Sequence, residues 1–165
     1  MMMKMHTVIF MLITSLVGLV GCQELGDNDT SRVKAEIEAS VKQASKAWEE
    51  FPKSLDRSRL LKQYAADYSG VKDGVSETLK DLEKTFDDLA EQIKLGDAIG
   101  ISYKITELNI HPFTGRLAWM TYQDETKLGR GGVLLRDIKN TCSTLVRKEW
   151  ETWLVFHEHC STVSR

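Results

Sequence analysis

The spacing of apolar residues changes near the middle of this chain, and that change is what most limits its fold. Up to about residue 96 apolar residues recur every three or four positions, which is typical of amphipathic helices. From residue 99 onward they alternate with polar residues, which is typical of half-buried strands. Helices first and an antiparallel meander afterwards predict an α+β domain with the helices gathered on one face of a curved sheet.

Three apolar stripes predict the helices. The first lies within residues 31–51 and ends near Pro52. The second is shorter and covers residues 60–68, and the turn-like segment 69–74 follows it. The third covers residues 79–93. All three stripes need an apolar partner surface, which we expect the second half of the chain to supply.

Four runs of alternating residues predict the strands of the sheet. They cover residues 99–110, 117–122, 133–146 and 152–163. The first run changes its apolar phase near Glu107, which predicts a bulge. The glycine-rich segment 129–132 is not followed by the helix and lysine of a phosphate-binding loop, so we interpret it as a flexible hairpin loop.

The first residues have the pattern of a bacterial lipoprotein signal. Lys4 precedes an apolar run from Val8 to Val20, which is about the length of a secretory h-region and is followed too soon by polar residues to span a membrane. Cys22 comes directly after Gly21, as in a lipobox whose thiol is acylated before the signal is removed. The predicted organisation is a signal peptide over residues 1–21, a polar tether over 22–30 and one domain over 31–165.

This signal predicts where the protein acts. Acyl chains contribute about 0.8 kcal/mol per buried methylene, so two or more of them on Cys22 would hold a domain at a bilayer. Gln23 resembles an outer-membrane address, which predicts the periplasmic face of a bacterial outer membrane. The alternative is a plain secretory signal in which Cys22 is incidental. A net charge of −2 with scattered Lys and Arg residues gives no argument for a nucleic-acid partner.

The end of the chain resembles a known family. Residues 153–161 (WLVFHEHCS) are similar to the W-x-x-x-H-x-H-x-S ending of the SnoaL-like and DUF4440 families in the nuclear transport factor 2-like (NTF2-like) superfamily, and residues 118–122 resemble the family's middle strand. The resemblance implies a cone, in which a strongly curved antiparallel sheet wraps around three N-terminal helices and leaves a pocket at the open end. The superfamily hosts isomerases, dehydratases, cyclases, association domains and binding proteins, so the fold does not settle the chemistry.

Strand alternation divides the last strand into two faces. One contains Trp153, Val155, His157, His159 and Ser161, and the other contains Leu154, Phe156, Glu158 and Cys160. Similarity to the association domain of calcium/calmodulin-dependent kinase suggests that the second set faces the pocket. Glu158 is then a general base or a hydrogen-bond acceptor, the alternative being a carboxylate in water at the rim. The predicted ligand-binding residues are Trp48, Tyr64, Trp119, Thr121, Phe156, Glu158, His157 and His159.

Catalytic and metal sites have weaker signals. His157 and His159 share a face and could meet a metal together with His111, but no further ligand stands at a recognisable spacing, so we predict no metal. We interpret these histidines instead as hydrogen-bonded sheet residues near a subunit interface or the pocket mouth. No Ser-His-Asp or Cys-His arrangement is legible, so no catalytic residue is assigned, and no cofactor is predicted.

Cys142 and Cys160 remain after Cys22, in a compartment that permits a disulfide. A hairpin loop of three or five residues centred on Glu151 would place them opposite one another. A loop of two or four residues would instead place Cys142 opposite His159, with the two cysteines on different faces. The sequence leaves both alternatives open.

Three functions follow as hypotheses. The preferred one is a membrane-anchored module that binds a small apolar or amphipathic molecule in its pocket. The second is an isomerase, dehydratase or cyclase that uses a pocket carboxylate with a Tyr or His. The third is an oligomeric scaffold, such as a homodimer, that associates through an outer sheet face containing Trp153 and Val155.

Overall fold

The computed structural model describes residues 25–96 and 100–163. Its helices are α1 (Asp27–Ser54), α2 (Ser58–Leu61) and α3 (Leu79–Lys94). Its strands are β1 (Tyr64–Lys72), β2 (Val75–Thr78), β3 (Gly100–Thr114), β4 (Leu117–Arg130), β5 (Val133–Glu149) and β6 (Thr152–Thr162).

The strands form one six-stranded sheet in the order β2-β1-β6-β5-β4-β3. Strands β1 and β6 are parallel, and every other neighbouring pair is antiparallel. The sheet curves around the helices without closing. We call the face turned toward the helices the inner face and the opposite one the outer face. The predicted α+β cone, with helices packed on a curved sheet, is confirmed. The sheet is mixed rather than purely antiparallel, because β1 runs parallel to β6.

Helix α1 lies along the inner face and divides the core into two clusters. Its N-terminal half places Val33 and Ile37 against β4, β5 and β6. Its C-terminal half places Ala47 and Phe51 against α2 and α3. This follows from the stripe of apolar residues, because positions three or four apart share one side of a helix.

The ends of α1 differ from the prediction. The helix begins at Asp27, four residues before the domain boundary expected at Ser31, so the end of the predicted tether is helical. It also continues through Pro52, which lies in the last turn and removes a single backbone donor. Leu55 ends the helix in the left-handed conformation (φ 52°), and its N–H donates to the carbonyl of Phe51 at 2.8 Å.

The second predicted helix is wrong beyond Leu61. Residues from Tyr64 onward form β1, which pairs in parallel with β6. The register shifts between Tyr64 and Ser69, and this irregularity brings the rings of Tyr64 and Tyr68 to 4.9 Å. Two aromatic residues four positions apart on one side imitate helical spacing, and a partner strand far along the chain leaves no local signal.

The segment predicted as a turn over residues 69–74 is mostly strand. The turn itself consists of Asp73 and Gly74, with φ values of 50° and 82°. Two successive positive φ values are those of a type I′ hairpin turn, for which Asp-Gly is a preferred sequence. The hairpin joins β1 to the short edge strand β2, which local spacing did not predict.

The bulge predicted near Glu107 is confirmed. The register between β3 and β4 shifts between Thr106 and Asn109, and Glu107 has a φ of 53°. The glycine-rich loop between β4 and β5 is shorter than the predicted segment 129–132, because only Gly131 and Gly132 lie between the two strands.

No helix in residues 25–96 or 100–163 is long and apolar enough to cross a membrane. The predicted signal peptide and Cys22 lie outside the described residues.

Candidate functional site

A cavity of about 220 Å³ lies inside the cone, between the inner face, α1 and α3. A smaller space of about 70 Å³ lies beside it and shares Tyr64, Tyr103, Tyr122 and Glu158 with it. All four tyrosines of the chain line the cavity. Its polar lining residues include Lys72, Glu77, Asp124, Asn140 and Glu158.

A larger groove of about 680 Å³ lies outside the cone, between α1, α2 and the β5–β6 hairpin. It is more open than the cavity inside the cone, and the exposed Trp150 and the basic side chains of Lys46, Arg59 and Lys62 contribute to its lining. Small-molecule sites are typically lined by apolar and aromatic side chains around a few convergent polar groups, and the cavity inside the cone has this lining. The cavity inside the cone is therefore the candidate site.

Glu158 is the central polar group of this cavity. Its Oε1 accepts hydrogen bonds from the Tyr122 hydroxyl at 2.5 Å and from Thr144 Oγ1 at 3.1 Å. Burial raises the pKa of the Glu158 carboxyl, and these two hydrogen bonds offset part of that rise. A carboxyl whose pKa is raised by burial and that still lines open space is a candidate acid or base toward a bound molecule.

A β-bulge at Phe156 is what turns Glu158 inward. Val146 pairs with Val155, but Leu145 pairs with His157, so Phe156 is an extra residue in β6. An extra residue reverses the alternation of side chains beyond it. For this reason Trp153 and Val155, on one side of the bulge, share the inner face with Glu158 on the other side.

The walls of the cavity are aromatic. The rings of Trp48 on α1 and Tyr103 on β3 are stacked at 5.4 Å with an interplanar angle of 25°. Trp48 also meets Phe86 of α3 edge-on at 5.4 Å. Burial raises the pKa of Tyr64 and Tyr103, so both phenols stay protonated, and neither hydroxyl has a hydrogen-bond partner among the described residues. They are donors available to a ligand.

A second carboxyl lies further along the inner face. Asp124 is 7% exposed, and its Oδ1 accepts a hydrogen bond from Asn140 Nδ2 at 2.8 Å. Burial raises the pKa of Asp124, while the Asn140 hydrogen bond and the charge of Lys72 lower it. Its Oδ2 lies 3.6 Å from Cys142 Sγ.

Cys142 and Cys160 form a disulfide with an S–S distance of 2.05 Å. The turn between β5 and β6 has two residues, since Glu149 pairs with Thr152, and such a turn alone would place Cys142 opposite His159. The bulge at Phe156 shifts the register by one and places Cys160 there instead. Both alternatives in the sequence analysis depended only on the length of the hairpin loop, and loop length does not reveal a bulge within β6.

Asp124, Cys142 and Cys160 also form a group with metal-ligand atoms within 4.8 Å of one another in the described part of the chain. The two sulfurs are bonded to each other, and a disulfide supplies no thiolate. The arrangement is therefore a cross-link beside a carboxyl.

Several predicted binding residues lie away from the cavity. Trp119 and Thr121 are on the outer face, because the inner positions of β4 are the even-numbered ones. The Trp119 indole donates to Ser143 Oγ at 2.7 Å, and its ring stacks on His111 at 5.0 Å. The prediction that Trp119 and Thr121 form a wall of the pocket is wrong.

Phe156, His157 and His159 are on the outer face as well. His157 Nδ1 shares a hydrogen bond of 2.9 Å with Ser69 Oγ. The guanidinium of Arg147 lies 5.3 Å from the centre of the Phe156 ring. His159 is exposed. The simple alternation that put Phe156 with Glu158 fails because it ignored the bulge.

The same correction applies to Trp153 and Val155, which were predicted to form an outer association surface. Trp153 is 5% exposed, and its indole donates to Glu36 of α1 at 3.0 Å. Val155 packs against both core clusters. The scaffold hypothesis loses the two residues on which it rested.

Of the predicted binding residues, Trp48, Tyr64 and Glu158 line the cavity. The prediction did not assign Tyr68, Asp124, Asn140 or Thr144. A usable signal was present in β4, where Met120, Tyr122 and Asp124 share one face by strict alternation. No signal within the sequence marked which face was the inner one.

Comparisons with other proteins agree with this architecture. The sequence profile of the SnoaL-like domain matches residues 41–164. A ketosteroid isomerase-like protein from Erwinia carotovora atroseptica is 17% identical with a TM-score of 0.56, over 79% of this chain and 96% of that one. A candidate scytalone dehydratase from Novosphingobium aromaticivorans is 12% identical with a TM-score of 0.61, over 81% and 89% of the two chains.

An NTF-2 like protein of unknown function from Pseudomonas aeruginosa is 14% identical with a TM-score of 0.62, over 78% of this chain and 99% of that one. No curated protein sequence matches the chain. Identities this low show a shared fold alone. Because the family profile covers most of the chain and the cone is the one these structures have, this protein belongs to the SnoaL-like domain family of the NTF2-like superfamily.

Proposed function

We propose that this protein binds a small, mainly apolar molecule inside the cone and holds one polar group of it at Glu158. The observation that carries the proposal is a half-buried carboxyl at an aromatic cavity that opens between α3 and the sheet. A few fixed polar groups in an otherwise apolar lining orient a ligand and give specificity.

The volume of the cavity limits the ligand. An apolar cavity of about 150 Å³ holds benzene, and typical drug-sized sites exceed about 300 Å³. At about 220 Å³ the cavity suits a molecule with one ring and a short substituent, with the adjoining space of about 70 Å³ beside it.

The second candidate function is acid–base catalysis of the isomerase or dehydratase kind. It is favoured by the Glu158 carboxyl, whose pKa is raised by burial and which is oriented by Tyr122 and Thr144. Glu158 would move a proton on the ligand, and the unpartnered hydroxyls of Tyr64 and Tyr103 would stabilise negative charge that develops on a ligand oxygen. The names of two structural neighbours, a ketosteroid isomerase-like protein and a candidate scytalone dehydratase, support this class.

We also propose that acyl chains on Cys22 anchor the domain at the periplasmic face of an outer membrane. The support is the lipobox-like sequence before Cys22, which lies outside the described residues. Fractionation of cells that express the wild type and Cys22→Ser tests this proposal. The wild type should sediment with membranes and the variant should not, and an identical distribution would contradict the anchor.

A thermal-shift screen of metabolites tests binding, with two variants that place a phenylalanine on opposite faces of β4. Thr126→Phe fills the cavity, whereas Thr121→Phe adds the same ring to the outer face. A ligand that stabilises the wild type should stabilise Thr121→Phe equally and leave Thr126→Phe unchanged. Stabilisation of all three proteins, or no stabilisation of the wild type by any compound, would overturn the proposal.

Mass spectrometry of the ligand after incubation separates binding from catalysis. A ligand recovered unchanged supports a binding module. A converted ligand supports the second candidate, in which case Glu158→Gln should abolish conversion and retain binding.

A further inference from the structure

The cavity holds acceptor oxygens that have no donor among the described residues. Glu158 accepts both of its hydrogen bonds through Oε1, and its Oε2 has no partner among the described residues. Asp124 accepts from Asn140 through Oδ1. The contact of Asp124 Oδ2 with Cys142 Sγ is not a hydrogen bond, because a disulfide sulfur carries no proton.

An unpaired oxygen on a buried carboxyl is energetically costly, and more so when the carboxyl is charged. Asp124 is more than nine-tenths buried and lines the cavity, so bulk water does not satisfy it freely. The partner that would satisfy these oxygens is a donor that enters the cavity.

The charged side chains that line the cavity are acidic, except at its mouth. Its lining contains the carboxyls of Glu77, Asp124 and Glu158, and Lys72 is the sole basic residue among the described lining residues. Lys72 is exposed and lies in the last position of β1, so its charge sits at the rim. The interior therefore attracts positive charge and repels anions.

The aromatic walls favour the same charge. Trp48 and Tyr103 are stacked on one another, and Tyr64 meets Tyr68 edge-on, so several ring faces and edges border one small volume. The face of an aromatic ring carries partial negative charge and attracts an ammonium group. Carboxyl oxygens and ring faces are independent features of the cavity, and both select a cation.

We propose, on the basis of the proposed function, that the ligand of this cavity is a protonated organic amine. Its ammonium group donates to the free oxygen of Glu158 or of Asp124, and its apolar body packs against Trp48 and Tyr103. A donor is needed because both oxygens lack one among the described residues, and an ammonium group supplies N–H donors together with the positive charge that the carboxyls attract. The cavity volume of about 220 Å³ suits an amine with one ring.

Calorimetric titration of the purified full chain with three probes of similar shape tests the inference. Phenethylamine is the cation, 2-phenylethanol replaces the ammonium by a neutral hydroxyl, and 3-phenylpropionate is the anion. Phenethylamine should bind about tenfold more tightly than 2-phenylethanol, as expected for a hydrogen bond to a charged group, and 3-phenylpropionate most weakly.

Three variants locate the effect. Glu158→Gln and Asp124→Asn should each reduce the preference for phenethylamine, while Asp67→Asn removes an outer-face carboxyl and should leave it unchanged. The comparison of probes on the wild type stands even if an inner-face variant does not fold.

Two results would overturn the inference, and they bear differently on the function. Equal or tighter binding of 2-phenylethanol or 3-phenylpropionate would show a working pocket that does not select cations. Absence of binding by all three probes would overturn the inference and would also count against the binding function.

Discussion

The two faces of the sheet pair their polar side chains in different ways. On the outer face such groups find partners within the sheet: Trp119 with Ser143, His157 with Ser69, and Arg147 with Asp67. On the inner face Glu158 and Asp124 each keep one oxygen without a donor among the described residues. These outer-face groups are satisfied by the chain itself, whereas the inner face keeps acceptor oxygens that a donor entering the cone would satisfy.

The physical reason lies in geometry. Side chains on the outer face stand beside cross-strand neighbours within about 5.5 Å, so short polar groups meet easily. On the inner face the curvature holds the helices off part of the sheet and leaves open volume in front of Glu158 and Tyr122. The comparison predicts that substitutions on the two faces have different consequences, and three experiments can break or sharpen it.

The largest expected effect is loss of the inner-face cross-link. Replacing Cys142 and Cys160 together by alanine should lower the free energy of unfolding by about 3 kcal/mol, since the disulfide closes a loop with a sequence separation of 18. Urea unfolding measures the change. The matched control replaces Thr141 and Ser161, which pair on the outer face of the same strands, and should change stability by less than about 0.5 kcal/mol.

Titration of thiols in the non-reduced wild type gives an independent check of the cross-link. Two reactive thiols in the domain would contradict the disulfide, and similar losses in the two double variants would contradict the contrast between the faces.

The second effect separates two tyrosines of the same cavity. Tyr122→Phe removes the hydroxyl that donates to Glu158 and should lower the free energy of unfolding by about 2 kcal/mol. Tyr64→Phe removes a hydroxyl without a partner among the described residues and should change it by less than about 0.5 kcal/mol. Chemical unfolding at neutral pH measures both. Equal losses would mean that the Tyr122 hydrogen bond does not distinguish the two positions.

The smallest effect is a pH dependence with opposite signs on the two faces. Burial raises the pKa of Glu158 above its usual 4.5, so its contribution to stability is present at low pH and is lost as pH rises through the folded-state pKa. The Arg147 hydrogen bond lowers the pKa of Asp67 below its usual 3.8, so its contribution is present above that value and is lost as pH falls.

The Glu158→Gln variant should therefore gain stability relative to the wild type as pH rises above 4.5, and Asp67→Asn should lose stability relative to the wild type as pH rises toward and past 3.8. Thermal unfolding across this pH range measures both differences. A slope of the same sign for the two variants would show that the faces do not differ in this way.

Much of the fold was predictable from local spacing. The stripes of α1 and α3, the four long strands and the bulge at Glu107 each follow from residues that are near one another in the chain. Strand β1 was not predictable in this way, because the Tyr64–Tyr68 contact imitates a helix and its partner is β6 at the other end of the sequence.

The candidate site was predicted in part. Trp48, Tyr64 and Glu158 line the cavity as expected, whereas Trp119 and Thr121 lie on the outer face. Alternation divides a strand into two sets with certainty only while the strand is regular. It does not say which set faces the helices, and that choice depends on how α1 packs.

The sequence by itself determined that the domain begins with helix and ends with four long antiparallel strands, and that the family is SnoaL-like, because apolar periodicity and the terminal motif are local properties of the chain. The tertiary structure alone decided which side chains share the cavity. A single extra residue at Phe156 aligns Trp153 with Glu158 and brings Cys160 opposite Cys142. A bulge exists only relative to a partner strand, so one strand's sequence cannot reveal it.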